Sequence, residues 1–166
     1  MTVADVVYLP EEPAYDHEIE LINEEAFGPG RFVRAAYKIR EGGPHERALS
    51  FVAMDGGHVV ASVRMTRVAA GAGRALMLGP LAVKPAYKNV GIGRRLVAIA
   101  IDAAAKAGAD AVILVGDEPY YGPLGFKRVP HGRLVMPGPV DPARLLVSEL
   151  VDGAFEGVGG AVAGAR

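Results

Sequence analysis

The stretch from Leu81 to Leu96 constrains this chain most, because a β-rich segment runs through a glycine loop straight into a helix. Gly91 and Gly93 carry no Cβ, so the backbone there can turn sharply and bring several N–H groups close to one anion. The first N–H groups of the following helix have no intrahelical partner, and the helix dipole adds partial positive charge at the same place. A phosphate group would satisfy both.

The side chains point the same way. Arg94 and Arg95 fall in the first helical turn, where a cation is normally unfavourable by about 0.3–1 kcal/mol. Lys84 and Lys88 precede the loop, so cations bracket the glycines. A plain strand-to-helix turn with exposed basic residues is the alternative, and the misplaced arginines shift the balance toward anion binding. No Gly-Lys-Ser/Thr sequence follows the glycines, and Leu96 replaces the third glycine of the dinucleotide fingerprint, so neither common nucleotide loop fits.

The 166 residues suit a single domain, 1–166, with one substantial core. A hydrophobic fraction of 51% with 22% charged residues is that of a soluble globular protein, and no apolar run approaches a membrane span. Met1 to Asp5 lack a basic and then hydrophobic leader pattern, so no export signal is expected. The absence of cysteine removes disulfides, thiolate metal sites and a cysteine nucleophile together. It suits a reducing cytoplasm, the expected location. A net charge of −1 gives no sequence-wide basic footprint, which argues against nucleic acid as a partner.

Val3 to Leu9 reads as a strand, and Asp16 as the N-cap of a helix over His17 to Phe27, with Ile19, Ile22 and Ala26 facing inward. Gly28-Pro29-Gly30 stops it, and a second helix is expected from Arg31 to Arg40. Together these helices form an N-terminal cap, about 14–41. Leu49 to Met54, Asp55-Gly56-Gly57 and His58 to Val68 read as a hairpin, followed by a strand from Ala75 to Val83. The helix from Ile92 to Ala107 carries Leu96, Ala100 and Ala104 on one face, and Ala111 to Val115 reads as a strand buried on both faces and parallel to the strand before the helix. Phe126 to Val129 and Leu145 to Val151 close the sheet. The Gly/Ala-rich tail from Gly153 fits either an edge strand or disorder.

A second motif, Asp117-Glu118-Pro119-Tyr120-Tyr121-Gly122-Pro123-Leu124-Gly125-Phe126, follows the buried strand. The two motifs in this order resemble the GNAT N-acetyltransferase superfamily. Leu81, Val83, Pro85, Gly91 and Gly93 fit its motif A, L-x-V-x-P-x-x-Q-x-x-G-x-G, whereas Lys88 stands where glutamine or arginine is usual and Val90 where a basic residue is usual. Tyr121 fits the tyrosine of the motif B ending, Y-x-x-x-G-F. With Val115-Gly116, the segment looks closest to the YhbS-type branch, and the resemblance covers about residues 48–129.

The resemblance implies an α/β fold with a central mixed, mostly antiparallel sheet and helices on both faces. It further implies an N-acetyltransferase that moves acetyl from acetyl-CoA to a primary amine by direct transfer. The pyrophosphate would sit on the loop from Lys88 through Asn89, Val90, Gly91, Ile92, Gly93 and Arg94 to Arg95. The Leu81 backbone N–H would be the oxyanion donor, Ala82 and Val83 would pair with the pantetheine amides, and Tyr121 would protonate the leaving thiol. Tyr120 reads as a packing aromatic. The resemblance would place a glutamate base at Met77, which cannot act as one; Glu24, Glu25, Asp117 and Glu118 are substitutes, each more often a solvated carboxylate.

No rival site emerges from the other polar residues. His17, His45, His58 and His131 show no metal-ligand spacing, so no metal is expected, and Ser62 lacks the glycines of a nucleophile elbow. A noncatalytic acyl-CoA-binding or sensing module is the competing reading. Tyr121 argues against it and Met77 for it. The acceptor, a small-molecule or peptide amine, has no legible motif; a membrane partner is not expected, and a homodimer stays open.

Overall fold

A computed structural model describes residues 5–165 of the chain. Apolar alternation in the N-terminal segment produces β1 (Val7–Pro10), shorter than the expected Val3 to Leu9, whose first two residues lie outside the described ones. Helix α1 (Asp16–Phe27) buries Ile19 and Ile22, whereas Ala26 is exposed. Tyr15 is its N-cap, not Asp16, and no side chain caps the helix. The reason is a stronger claim on that carboxylate: Asp16 accepts two hydrogen bonds from Arg47, at 2.9 and 2.8 Å, and one from Arg64 at 3.2 Å.

The second helix also forms later than expected. Pro29–Val33 is a 3₁₀ turn, and only Ala35–Glu41 is α-helical, here α2. Proline at the start of the turn favours the tight winding, and the extended conformation of Arg34 (ψ 147°) separates it from α2.

The hairpin appears as read, with β2 (Phe51–Asp55) and β3 (His58–Ala70) joined at Gly56-Gly57, both at positive φ. Then come β4 (Gly73–Val83), α3 (Ile92–Lys106), β5 (Ala111–Val115) and a single turn of helix, α4 (Glu118–Tyr121). The chain closes with β6 (Lys127–Arg128), β7 (Leu134–Val135), β8 (Leu145–Glu149) and β9 (Gly160–Gly164). The tail is therefore ordered as a strand: β9 pairs with β3 at Val68–Ala70, continuing the edge that β2 vacates beyond Val63.

The sheet runs β1-β2-β3-β4-β5-β8-β6, and along this path every pairing is antiparallel except β4 with β5. Strand periodicity sends alternate residues to opposite faces. Leu76, Leu78, Val112 and Leu114 pack with Leu96, Val97, Ala100 and Ala104 of α3, while Met77, Ala111 and Ile113 pack with Ala35 and Ile39 of α2. Val52, Val59 and Ala82 meet Ile19 and Ile22 of α1. Helices thus cover both faces of a mixed, mostly antiparallel sheet.

One break in this sheet leaves a strand edge uncovered. β4 and β5 pair only at Leu76 with Val112 and Met77 with Ile113, although β4 continues to Val83 and β5 to Val115. Beyond Met77, β4 keeps β3 on one side, with Leu81, Ala82 and Val83 opposite Val63, Ser62 and Ala61. Its other edge carries no strand.

Candidate active site

Two cavities open along that edge. The larger, about 580 Å³, is lined by Leu81, Ala82 and Val83 of β4, by Lys88, Asn89 and Gly91 of the loop, by Ile92, Gly93 and Arg94 of α3, and by Ala26 and Phe27 of α1. The second, about 380 Å³, lies between Met77 to Leu81 and Val115 to Asp117, where the strands part. Its remaining wall comes from Arg34 to Ala36, from Tyr120 and Tyr121, and from Pro139 to Asp141 with Arg144. Phe27, Leu81 and Tyr120 line both.

Local chemistry explains the larger cavity. Asn89 and Gly91 lie at φ 63° and 92°, the left-handed region, and Gly91 is the N-cap of α3 with no side chain capping it. The helix therefore presents unsatisfied N–H groups to the cavity, the arrangement that binds anions. Gly93 is needed for a different reason: a Cβ there would come within 2.7 Å of the Tyr120 hydroxyl. Tyr87 anchors the loop from below, its hydroxyl donating to the Asp55 carboxylate.

Not every expected loop residue joins the wall. Arg94 does, and its guanidinium carbon lies 5.1 Å from the Tyr120 ring centroid. Arg95 instead turns to Tyr8, at 6.0 Å, and Val90 is exposed; neither lines these two cavities.

The tyrosines divide between the cavities. Tyr121 lines only the smaller one and packs edge-on against Phe126 at 5.9 Å. Gly116 has no side chain to spare, because the Tyr121 ring occupies the place of its Cβ. Burial pushes the Tyr121 phenol well above the usual tyrosine range, with Tyr120 and Asp117 adding to it and Arg144 and Arg34 opposing. Tyr120 is raised as well, by burial, with Arg94 opposing.

Among the four carboxylates considered as bases, only Asp117 reaches a cavity wall; Glu24 and Glu25 are exposed on α1, and Glu118 pairs with Arg128 at 3.0 Å. Met77 does line the smaller cavity. His45 has a carboxylate partner far away in sequence, Glu11 at 2.6 Å, and among the described residues no group of three His, Cys, Asp or Glu could hold a metal ion. Sequence reasoning missed Phe27, Arg34, Asp141 and Arg144, which come from segments without motif. The density of arginines around Gly28-Pro29-Gly30 was the only local signal for one of them.

Residues 14–126 match the Acetyltransferase (GNAT) family, and the chain belongs to it. The N-acetyltransferase YhbS of Escherichia coli strain K12, itself uncharacterized, is 34% identical over 85 residues, 51% of each chain. The match thus spans about half the length of that relative. A crystal structure of Escherichia coli YhbS in complex with CoA superposes with a TM-score of 0.79 at 26% identity, covering 97% of this chain and 90% of that one. A GNAT acetyltransferase from Brucella melitensis in complex with acetyl-CoA gives 0.62 at 27% identity, covering 90% and 97%.

Proposed function

We propose that this chain is an N-acetyltransferase that moves the acetyl group of acetyl-CoA directly to a primary amine. The observation that carries the reading is the meeting of the two cavities at Leu81, on the unpaired edge of β4. One cavity has the chemistry for a phosphorylated, amide-bearing donor and the other is an open pocket for an acceptor. They share the point where transfer would occur.

The residues present fit acetyl-CoA. The uncapped start of α3, the left-handed Gly91 and the cations Lys88 and Arg94 would hold its pyrophosphate, with Arg95 and Val90 serving through the backbone or at the margin. Asn89, Ile92 and Gly93 complete the loop. Ala82 and Val83 offer a strand edge to the pantetheine amides, as in β-strand addition. Acetyl-CoA supplies an activated carbonyl carbon and a leaving thiolate.

The amine nitrogen attacks that carbonyl, the C–S bond breaks, and the amine proton leaves to a base or water chain; Asp117 is the sequence-nominated carboxylate on the acceptor wall. The Leu81 N–H stabilises the oxygen on which charge develops, a contribution of about 2.7–4 kcal/mol for such a donor. Tyr121 hydrogen-bonds to the departing sulfur. Its raised pKa makes it a weak acid, but the same desolvation raises the thiol. The proton therefore passes late, after the C–S bond is largely broken.

We assign the chain to a single catalytic domain over 1–166, with residues 48–129 as the acyl-CoA core and 14–41 as the acceptor cap, and to the cytoplasm, which a cysteine-free composition supports. Among the described residues no helix is long and apolar enough to cross a membrane.

Calorimetry with acetyl-CoA and initial rates of thiol release test the reading together. Direct transfer requires both substrates at once, so double-reciprocal lines should intersect; parallel lines, or a competent acetyl group on Tyr121 or Ser62 by mass spectrometry, would overturn it. Binding without thiol release across an amine panel would instead favour the noncatalytic module.

A further inference from the structure

The acceptor cavity carries more charge than acetyl transfer to a simple amine needs. Arg34, an exposed residue, stands on its wall just before α2, with its guanidinium carbon 4.3 Å from the Phe27 ring centroid. Among the described residues no carboxylate lies within ion-pair distance of it. Arg144 stands on the same wall and is held to Asp117 by one hydrogen bond from Nε at 3.2 Å, an exposed pair of little strength. That leaves the terminal N–H groups of Arg144 uncommitted to the pair.

The two guanidiniums line one cavity. Partial desolvation and then the positive charge of Arg144 lower the Arg34 pKa, so Arg144 adds to the cost of the charge on Arg34. An anion between them would relieve it, and the planar fork of guanidinium matches a carboxylate in particular. The remaining charges on the wall are carboxylates, Asp117 and Asp141, the latter accepting from the Ala143 backbone N–H at 2.9 Å. A wall with cations and carboxylates suits a zwitterion. Between them the surface is apolar, with Met77 and Val140.

We infer that the acceptor is an amine that also carries a carboxylate, a free amino acid in its simplest form, with Arg34 and Arg144 holding the carboxylate while the amine faces Leu81. This rests on the acetyltransferase reading above. The apolar Met77 and Val140 favour an uncharged side chain on that amino acid.

The test compares free methionine and phenylalanine with their carboxamides as acceptors, by thiol release at fixed acetyl-CoA, together with the dipeptide alanyl-glutamate, which offers an acid on a peptide instead. The free acids should exceed the amides in kcat/KM by on the order of 10–100-fold, the loss expected when a charge-assisted hydrogen-bonded contact is removed. Arg34→Ala should raise KM for the acid, bring acid and amide together and leave acetyl-CoA affinity unchanged by calorimetry, with Arg34→Lys recovering part of the preference. Equal turnover of acids and amides overturns the inference while leaving acetyl transfer intact, and turnover of alanyl-glutamate alone replaces the free amino acid by a peptide.

A second readout needs no turnover. N-acetylmethionine and N-acetylphenylalanine should raise Tm of the CoA-loaded protein more than their amides do, and Arg34→Ala should abolish that difference. Equal shifts for acid and amide overturn the inference. Loss of acetyl-CoA binding itself would mark failure of the acetyltransferase reading instead.

Discussion

The rings of Tyr120 and Tyr121 stand 4.7 Å apart at 76°, and although adjacent in sequence they differ in reach: Tyr120 lines both cavities, Tyr121 only the smaller one. Their substitution should therefore separate binding from chemistry. Tyr121→Phe should leave acetyl-CoA affinity unchanged and lower kcat by about 10²–10⁴-fold, the range for loss of a general acid. Tyr120→Phe should be mild in kcat. Steady-state kinetics on the two variants, beside calorimetry, decide the matter; the reverse pattern would move the proposed acid to Tyr120.

The raised pKa of Tyr121 has a pH signature. A phenol whose pKa lies above its ordinary value stays neutral beyond the usual range of about 10. No fall in kcat attributable to Tyr121 should appear up to about pH 10. Rising activity below that range would report deprotonation of the amine or its base. A descending limb near pH 8 that disappears in Tyr121→Phe would contradict the burial of this phenol.

Gly93 and Tyr120 should behave as a coupled pair. Gly93→Ala places a Cβ within 2.7 Å of the Tyr120 hydroxyl at the wall of the larger cavity, so one of the two must shift. Overpacking of this kind costs about 1–3 kcal/mol, or about 5- to 150-fold in acetyl-CoA affinity if the displaced ring obstructs the site. Adding Tyr120→Phe removes the clashing atom and should recover much of the loss. Additive effects in the double-mutant cycle would show that the two positions act independently.

Glu11 should govern stability in acid. Its side chain is fully buried, held by His45 and Arg64, each at 2.6 Å. Burial alone would raise its pKa, but the hydrogen bonds and charges of those partners hold it below the ordinary carboxyl range. Its stabilisation is therefore complete above the unfolded value, about 4.3, and is lost as pH falls through the lower folded value. Glu11→Gln should destabilise by about 3–5 kcal/mol at neutral pH, as breaking a buried ion pair does. Urea melts should show the gap to the unsubstituted protein narrowing below about pH 4; a gap independent of pH would refute this.

What was legible in the sequence was what the backbone decides locally. The Asp55-Gly56-Gly57 turn, the start of α3 after Gly91 and the doubly buried β5 follow from turn chemistry and apolar pattern, and the structure reproduces them within a few residues. Asp16 failed as a cap because its partners, Arg47 and Arg64, are distant in sequence and invisible to a local rule. The Gly153 tail could not be resolved because its pairing partner, Val68 to Ala70, is more than eighty residues away. The residues from Leu81 to Arg94 that line the larger cavity are near neighbours along the chain and so carry a motif. Arg34 and Arg144 reach one cavity only through the fold, and no spacing announces them.

The parting of β4 from β5 leaves two cavities that share Phe27, Leu81 and Tyr120 and otherwise draw on different residues of the chain. On the proposed reading, a lineage could rewrite residues 34–36 and 139–144 to adopt a new amine without disturbing the grip on acetyl-CoA. The group proposed to act at Leu81 is a backbone N–H, so substitution of that side chain cannot easily remove its chemistry. Such a layout lets specificity drift while the reaction stays the same.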